Sequence, residues 1–234
     1  MNKQTFKIYQ FNNNNDWWIN SIANLFVSFC LVVAIMLFVF SCITAECVVV
    51  GASMVPTYNA DAKAGNDIVF VNKFDNDYSV GDIVVINMDN ADPIIKRIVA
   101  VGGDVVDIVY TDYGYKLEIN GEIFDEDYIN YKYDTDILMQ NGMKDYFVLF
   151  HGDMKVNFPE LFNEQGKIVV PDGEFFVLGD NRHESKDSMY YGTFKAEEFI
   201  GTVENLLAAG ESKFMFYVDY IVSGKFFTSV ANCF

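Results

Sequence analysis

The chain has 234 residues, half of them apolar and 16% aromatic, with a formal net charge of −17 and a pI near 4.3. That composition supports a folded core rather than disorder. The acidity argues against nucleic acid as a partner, since so acidic a chain is ill-suited to neutralise phosphates.

The first 21 residues are polar, Asn-rich at Asn12 to Asn15, and carry Lys3, Lys7 and the pair Trp17 and Trp18. From Ile22 to Ala45 no residue is charged. A helix over 22–45 rises ~1.5 Å per residue and crosses a ~30 Å hydrocarbon core, so this run is read as one transmembrane anchor. It is too long for the apolar region of a cleaved signal peptide, and the Trp pair suits an interfacial belt. Lys3 and Lys7 precede the span, against Lys63 alone shortly after it. The positive-inside rule therefore puts the N-terminal segment, 1–21, in the cytoplasm and the bulk of the chain outside. Of the four cysteines, Cys30 and Cys42 lie in the apolar run. Cys47 and Cys233 alone are placed to pair outside a membrane, too few for a disulfide framework. His151 and His183 are isolated, and no Cys/His spacing suits a metal, so neither metal nor organic cofactor is expected.

Beyond the anchor, short runs rich in β-branched and aromatic residues alternate with turns. Strands are expected at Asp67–Asn72, Asp82–Asn87, Ile94–Val101, Val105–Tyr110, Tyr115–Asn120, Tyr146–Phe150 and Glu174–Leu178. Asn120-Gly121 between LEI and EIF reads as a tight hairpin turn. The expected architecture is mainly β: an antiparallel catalytic domain over 46–205, with a small hairpin-built subdomain at about 105–170. The apolar segment 206–234 contains Asp219 and Lys225, which favours core packing or a membrane-surface position over a second crossing.

Three segments carry candidate chemistry. Gly51-Ala52-Ser53-Met54-Val55-Pro56-Thr57 offers a serine on a bend, with small neighbours that leave its hydroxyl and nearby N–H groups accessible. Lys96 stands in an apolar strand, sharing one face with Ile94 and Ile98. If that face is buried, desolvation lowers the amine's pKa and suits it to take the Ser53 proton. Arg97 cannot do this, because guanidinium stays protonated. Gly179-Asp180-Asn181-Arg182, followed by Ser185, Asp187 and Ser188, forms a loop dense in hydrogen-bonding groups, with Ser185 able to hold the lysine amine.

Taken in order, these segments resemble the bacterial type I signal peptidases, serine proteases with a Ser–Lys dyad. ASMVPTY resembles the nucleophile box, and GDIVVI the strand after it. IIKRIVAVGGD is similar to the lysine box and LEINGEIFDEDYI to the following hairpin. VPDGEFFVLGDNRHESKDSMYYG resembles the final box, with FIGTV as its sequel. The resemblance implies an enzyme of the bacterial plasma membrane that cleaves signal peptides from secretory preproteins after small residues at −3 and −1. It implies Ser53 as nucleophile, Lys96 as general base and Ser185 as its orienting group, with the Ser53 N–H in the oxyanion hole. Asp180 and Arg97 form a structural pair, with Asn181 and Asp187 supporting. Val49, Met54, Tyr58, Ile94 and Ile95 fall at substrate-lining positions.

Three departures stand out. Gly51 replaces a serine that donates to the oxyanion in some members. Gly102 replaces a proline, which loosens that turn, and Met189 replaces an arginine, which takes from Asp187 its expected partner. The competing reading is an anchored binding or assembly factor on the same scaffold. Its signature would be loss of Ser53 or Lys96, and both are present.

Overall fold

A computed structural model of the chain describes residues 17–59, 65–74, 76–112, 114–124, 126, 128–129 and 137–207. The expectations for 1–16, for 208–234 and for Cys233 lie outside these residues. The chain divides into two units, Met1–Cys42 and Ile43–Phe234.

In the first unit, helix α1 spans Trp17–Ile43 with no acidic residue in its first turn and no basic one in its last. Large apolar side chains from Trp17 to Phe38 are exposed along it. Among the described residues it is the one helix long and apolar enough to cross a membrane. The helix starts earlier than the apolar run and stops at Ile43, because Thr44 begins a strand.

The second unit is built on a seven-stranded sheet. In chain order its strands are β1 (Thr44–Val48), β2 (Ile68–Asn72), β3 (Ile83–Ile86), β4 (Ile94–Val101), β9 (Glu174–Leu178), β10 (Phe194–Lys195) and β11 (Phe199–Leu207). Their order across the sheet is β1-β2-β11-β3-β4-β9-β10. Every pairing in it is antiparallel. A second sheet, ordered β7-β6-β5-β8, contains β5 (Val105–Thr111), β6 (Gly114–Ile119), β7 (Glu122–Ile123) and β8 (Ile168–Val169). The mainly antiparallel β architecture expected from the sequence is the one observed.

Residues 83–86 and 94–101 form strands as their composition implies, with Val84–Ile86 of β3 and Lys96–Ala100 of β4 buried and the remaining residues half-buried. At the β6–β7 hairpin, Asn120 (φ 56°) and Gly121 (φ 84°) occupy the two left-handed positions a type I′ turn requires. Ile119 then pairs with Glu122.

One strand expectation is corrected. Tyr146–Phe150 is not a strand: Tyr146–Leu149 ends helix α2 (Ile137–Leu149), and Phe150 opens a π-helical turn, Phe150–Met154. The short helix α3 (Lys155–Asn157) follows. Met143, Tyr146, Phe150 and Met154 recur at helical spacing and are all buried. They pack with Val106, Ile108 and Leu117 of the second sheet and with Val99, Phe176 and Leu178 of the first. Burial of that apolar stripe outweighs the β-propensity of YFVLF, which is aromatic and branched but helical in period.

In the folded chain the Gly102 turn is closely packed. A Cβ there would stand 2.9 Å from Gly173 N and 3.0 Å from Pro171 O, so the β4–β5 turn is pressed against the β8–β9 connection.

Candidate active site

Ser53 lies in the bend Gly51–Tyr58 that follows β1. Asn59 fastens the bend at its far end: its Nδ2 donates to Val49 O (2.9 Å) and Gly51 O (3.0 Å). Asn59 and Asp67 exchange two further bonds, Asn59 N to Asp67 Oδ2 at 2.7 Å and Asp67 N to Asn59 Oδ1 at 2.8 Å. Asn59 has φ 57°, a left-handed conformation that asparagine tolerates well. Met54 and Tyr58, buried beneath the bend, anchor it in a cluster with Val49, Val69, Val71 and Val85. Among the described residues no acceptor takes the Ser53 N–H, while Val55 N and Tyr58 N bond within the bend.

β4 brings Lys96 to the same place. Only 3% of Lys96 is exposed. Its Nζ donates to Ser53 Oγ at 3.0 Å and to Ile95 O at 2.7 Å. Burial lowers its pKa from the ordinary 10.5 to about 8, opposed by the negative charges of Asp187 and then Asp180. The adjacent Arg97 faces the other way. Its Nε and Nη2 meet Asp180 Oδ1 and Oδ2 at 2.9 and 2.7 Å, and Nη1 donates to Gly81 O at 2.9 Å. Thr57 Oγ1 donates to Asp180 Oδ2 at 2.5 Å, so the same carboxylate ties the nucleophile bend to β4. The guanidinium also sits 3.9 Å from the centre of the Tyr128 ring.

The loop after β9 closes over this pair. Asn181 N donates to Ser53 O and Asn181 Nδ2 to Ala52 O, both at 3.0 Å. Ser185 Oγ donates to Asp187 Oδ2 at 2.5 Å, and Lys96 uses two of its three donors on Ser53 and Ile95, with no hydrogen bond between Ser185 and Lys96. Asp187 is not left without partners by Met189. Tyr146 OH (2.5 Å) and Gly179 N (2.9 Å) also reach its Oδ2. Met189 N donates to Oδ1 at 3.2 Å, which caps the short helix α4 (Ser188–Tyr191). Arg182, 1% exposed, pairs through both terminal nitrogens with Glu126, and its Nε donates to Gly179 O.

Beside Ser53 and Lys96 opens a cavity of about 520 Å³, lined by residues 47–50, Val69, Val85 and 92–96. Of the five candidate substrate-lining residues, Val49, Ile94 and Ile95 line this cavity and Met54 and Tyr58 do not. Those two turn inward from the bend into the core, 1% and 6% exposed. Among the described residues no group of His, Cys, Asp and Glu is placed to hold a metal.

Residues 22–207 match the family described as signal peptidase, peptidase S26.

The chain belongs to the signal peptidase family.

Members of peptidase S26 are serine peptidases, and the curated relatives are similar over most of their length. Signal peptidase I of Bacillus caldolyticus is 33% identical over 76% of this chain and 85% of that protein. Signal peptidase I S of Bacillus subtilis (strain 168) is 32% identical over 80% and 84%. Signal peptidase IB of Staphylococcus aureus (strain COL) is 32% identical over 80% and 85%. Among solved structures, a crystal structure of a signal peptidase I from Enterococcus faecalis V583 is 25% identical. It covers 55% of this chain and 97% of that one, with a TM-score of 0.39.

Sequence reasoning missed the groups that brace the site from afar. Thr57 on Asp180, Glu126 on Arg182, Tyr128 over Arg97 and Tyr146 on Asp187 all act across long sequence separations. Thr57, Glu126 and Tyr128 gave a signal, as polar residues inside segments that resemble the nucleophile box and the signal peptidase hairpin, whereas Tyr146 gave none.

Proposed function

We propose that this signal peptidase cleaves secretory preproteins with Ser53 as nucleophile and Lys96 as general base. The observation that carries the reading is the 3.0 Å separation of Lys96 Nζ and Ser53 Oγ, with the amine buried. With a pKa of about 8, roughly a tenth of the lysine is neutral at pH 7. The neutral amine takes the Ser53 proton as Oγ attacks the scissile carbonyl, and the resulting ammonium protonates the departing amine. Water, deprotonated by the same lysine, then hydrolyses the ester. The uncommitted Ser53 N–H supports its role toward the oxyanion. Gly51, exposed and without a side chain, adds no hydroxyl donor.

The apolar cavity favours an extended substrate segment with small side chains at −3 and −1, lying along Val49, Ile94 and Ile95. Asp180, Arg97, Asn181 and Asp187 hold the loops in register, and Ser185, its proton turned to Asp187, offers lone pairs toward the lysine. Helix α1 is the proposed anchor in a bacterial plasma membrane. Lys3 and Lys7 keep the N-terminus cytoplasmic, and the catalytic unit lies outside. No feature favours the assembly-factor reading.

The test uses full-length protein in detergent and a preprotein with an Ala-X-Ala site. Wild type cuts after the −1 alanine, as read by mass spectrometry of the products, while Ser53→Ala and Lys96→Ala do not. Cleavage surviving either substitution would sink the dyad.

A further inference from the structure

Asp187 is fully buried, and among the described residues no lysine or arginine is bonded to it. Its charge is met by four neutral donors instead. Three belong to the stretch 179–189: Gly179 N, Ser185 Oγ and Met189 N. The fourth, Tyr146 OH at 2.5 Å, comes from α2, which packs on the second sheet, 41 positions earlier.

The oxygen that Tyr146 reaches is the one that also orients Ser185. Asp187 Oδ2 accepts from Tyr146, Ser185 and Gly179 together. Gly179 lies between the two serines, since a Cβ on it would stand 2.2 Å from Ser185 Oγ and 2.6 Å from Ser53 O. The phenol therefore sits at the far end of a hydrogen-bonded chain whose near end abuts the Ser53 main chain.

We propose that Tyr146 is a positioning residue for the reaction, acting through Asp187 and Ser185 to limit how strongly the buried carboxylate favours the protonated form of Lys96. The proposal rests on the assignment of Lys96 as general base. Asp187 is the leading negative charge acting on Lys96. A phenol proton on Oδ2 draws charge density from the carboxylate and away from the amine. Tyr146 stays a donor because burial, and then the Asp187 charge, hold its own pKa well above the ordinary value.

The other ionisable groups around the amine are accounted for. Asp180 is paired with Arg97, and Arg182 with Glu126. Tyr58 is raised to about 12 by burial, and Tyr128 is raised as well, also chiefly by burial. Asp92 lines the open cavity, where water screens it. Asp187 is thus the uncompensated charge whose effect on Lys96 depends on neutral donors alone.

The experiment compares wild type, Tyr146→Phe and Lys96→Ala as full-length protein in detergent, measuring kcat and KM on a preprotein from pH 6 to 10. Removing the hydroxyl moves the acid limb of kcat/KM up by about 0.5–1 pH unit. At pH 7, kcat falls about three- to tenfold; KM stays unchanged, and the deficit closes above the limb. The limb's position does not depend on how much protein is folded, so reduced stability of the variant does not obscure the result. An unmoved limb, or a loss equal at every pH, overturns the proposal while an inactive Lys96→Ala leaves the dyad standing. Activity in Lys96→Ala overturns the dyad and the proposal with it.

Discussion

The backbone N–H of Asn181 donates to the carbonyl oxygen of Ser53 at 3.0 Å, so the loop after β9 grips the main chain of the proposed nucleophile and leaves its hydroxyl to Lys96. That grip needs Gly179, where any Cβ would lie 2.6 Å from the Ser53 carbonyl oxygen and 2.2 Å from Ser185 Oγ. Gly179→Ala must push the two loops apart. Overpacking of this kind costs about 1–3 kcal/mol of stability. Displacing the serine lowers kcat by about ten- to a hundredfold. Thermal unfolding and steady-state kinetics on the same preparation check both effects, and wild-type values would show that the contact yields freely.

Arg97 and Asp180 form a buried bidentate pair that also holds Thr57. Arg97→Ala strands the carboxylate, and breaking a buried pair from one side costs about 3–5 kcal/mol. Urea unfolding of the detergent-solubilised protein should show a loss of that order. A loss under 1 kcal/mol would mean that water replaces the guanidinium without difficulty.

Lys96 carries a stability cost that follows its titration. Burial lowers its pKa in the folded chain to about 8, while the unfolded chain keeps the ordinary 10.5. Below pH 8 both states hold the proton, and the folded state bears the full cost of a buried ammonium. Between about 8 and 10.5 the unfolded chain binds more protons, so stability rises with pH, and above that window the cost is gone. Lys96→Met is therefore expected to be inactive yet more stable than wild type at pH 7 by about 1–3 kcal/mol. The advantage shrinks as pH approaches 10.5. Unfolding curves at pH 7 and pH 10 check this, and a variant less stable at pH 7 would contradict it.

Removal of residues 1–42 takes away the helical unit and leaves every strand in place. The full chain should stay with membranes after alkaline extraction, and the shortened chain should not. Full-length protein released by that extraction would contradict a spanning anchor.

Much of this arrangement was legible because its signals are local. Asn120-Gly121 fixed the hairpin through backbone conformation, and Lys96 on one strand face with Ile94 and Ile98 pointed to a buried amine if that face was the inner one. The opposite case is YFVLF, where residue type suggested a strand. The spacing of Met143, Tyr146, Phe150 and Met154, set by burial against two sheets, imposed a helix. Met54 and Tyr58 stand beside Ser53 in sequence, yet a bend sends neighbours in different directions, and these two turn into the core. The pairings Glu126–Arg182 and Tyr146–Asp187 join residues 56 and 41 positions apart. No short-range pattern encodes a contact that exists only once the sheets have assembled.

The central claim is that neutral Lys96 removes the Ser53 proton, and the most direct measurement is the single-turnover cleavage rate of a preprotein from pH 6 to 10. The expected result is a rate that rises with the loss of one proton, with a midpoint near the Lys96 pKa of about 8, and vanishes in Lys96→Met. A rate independent of pH across that range, or cleavage that persists in Lys96→Met, would contradict the account.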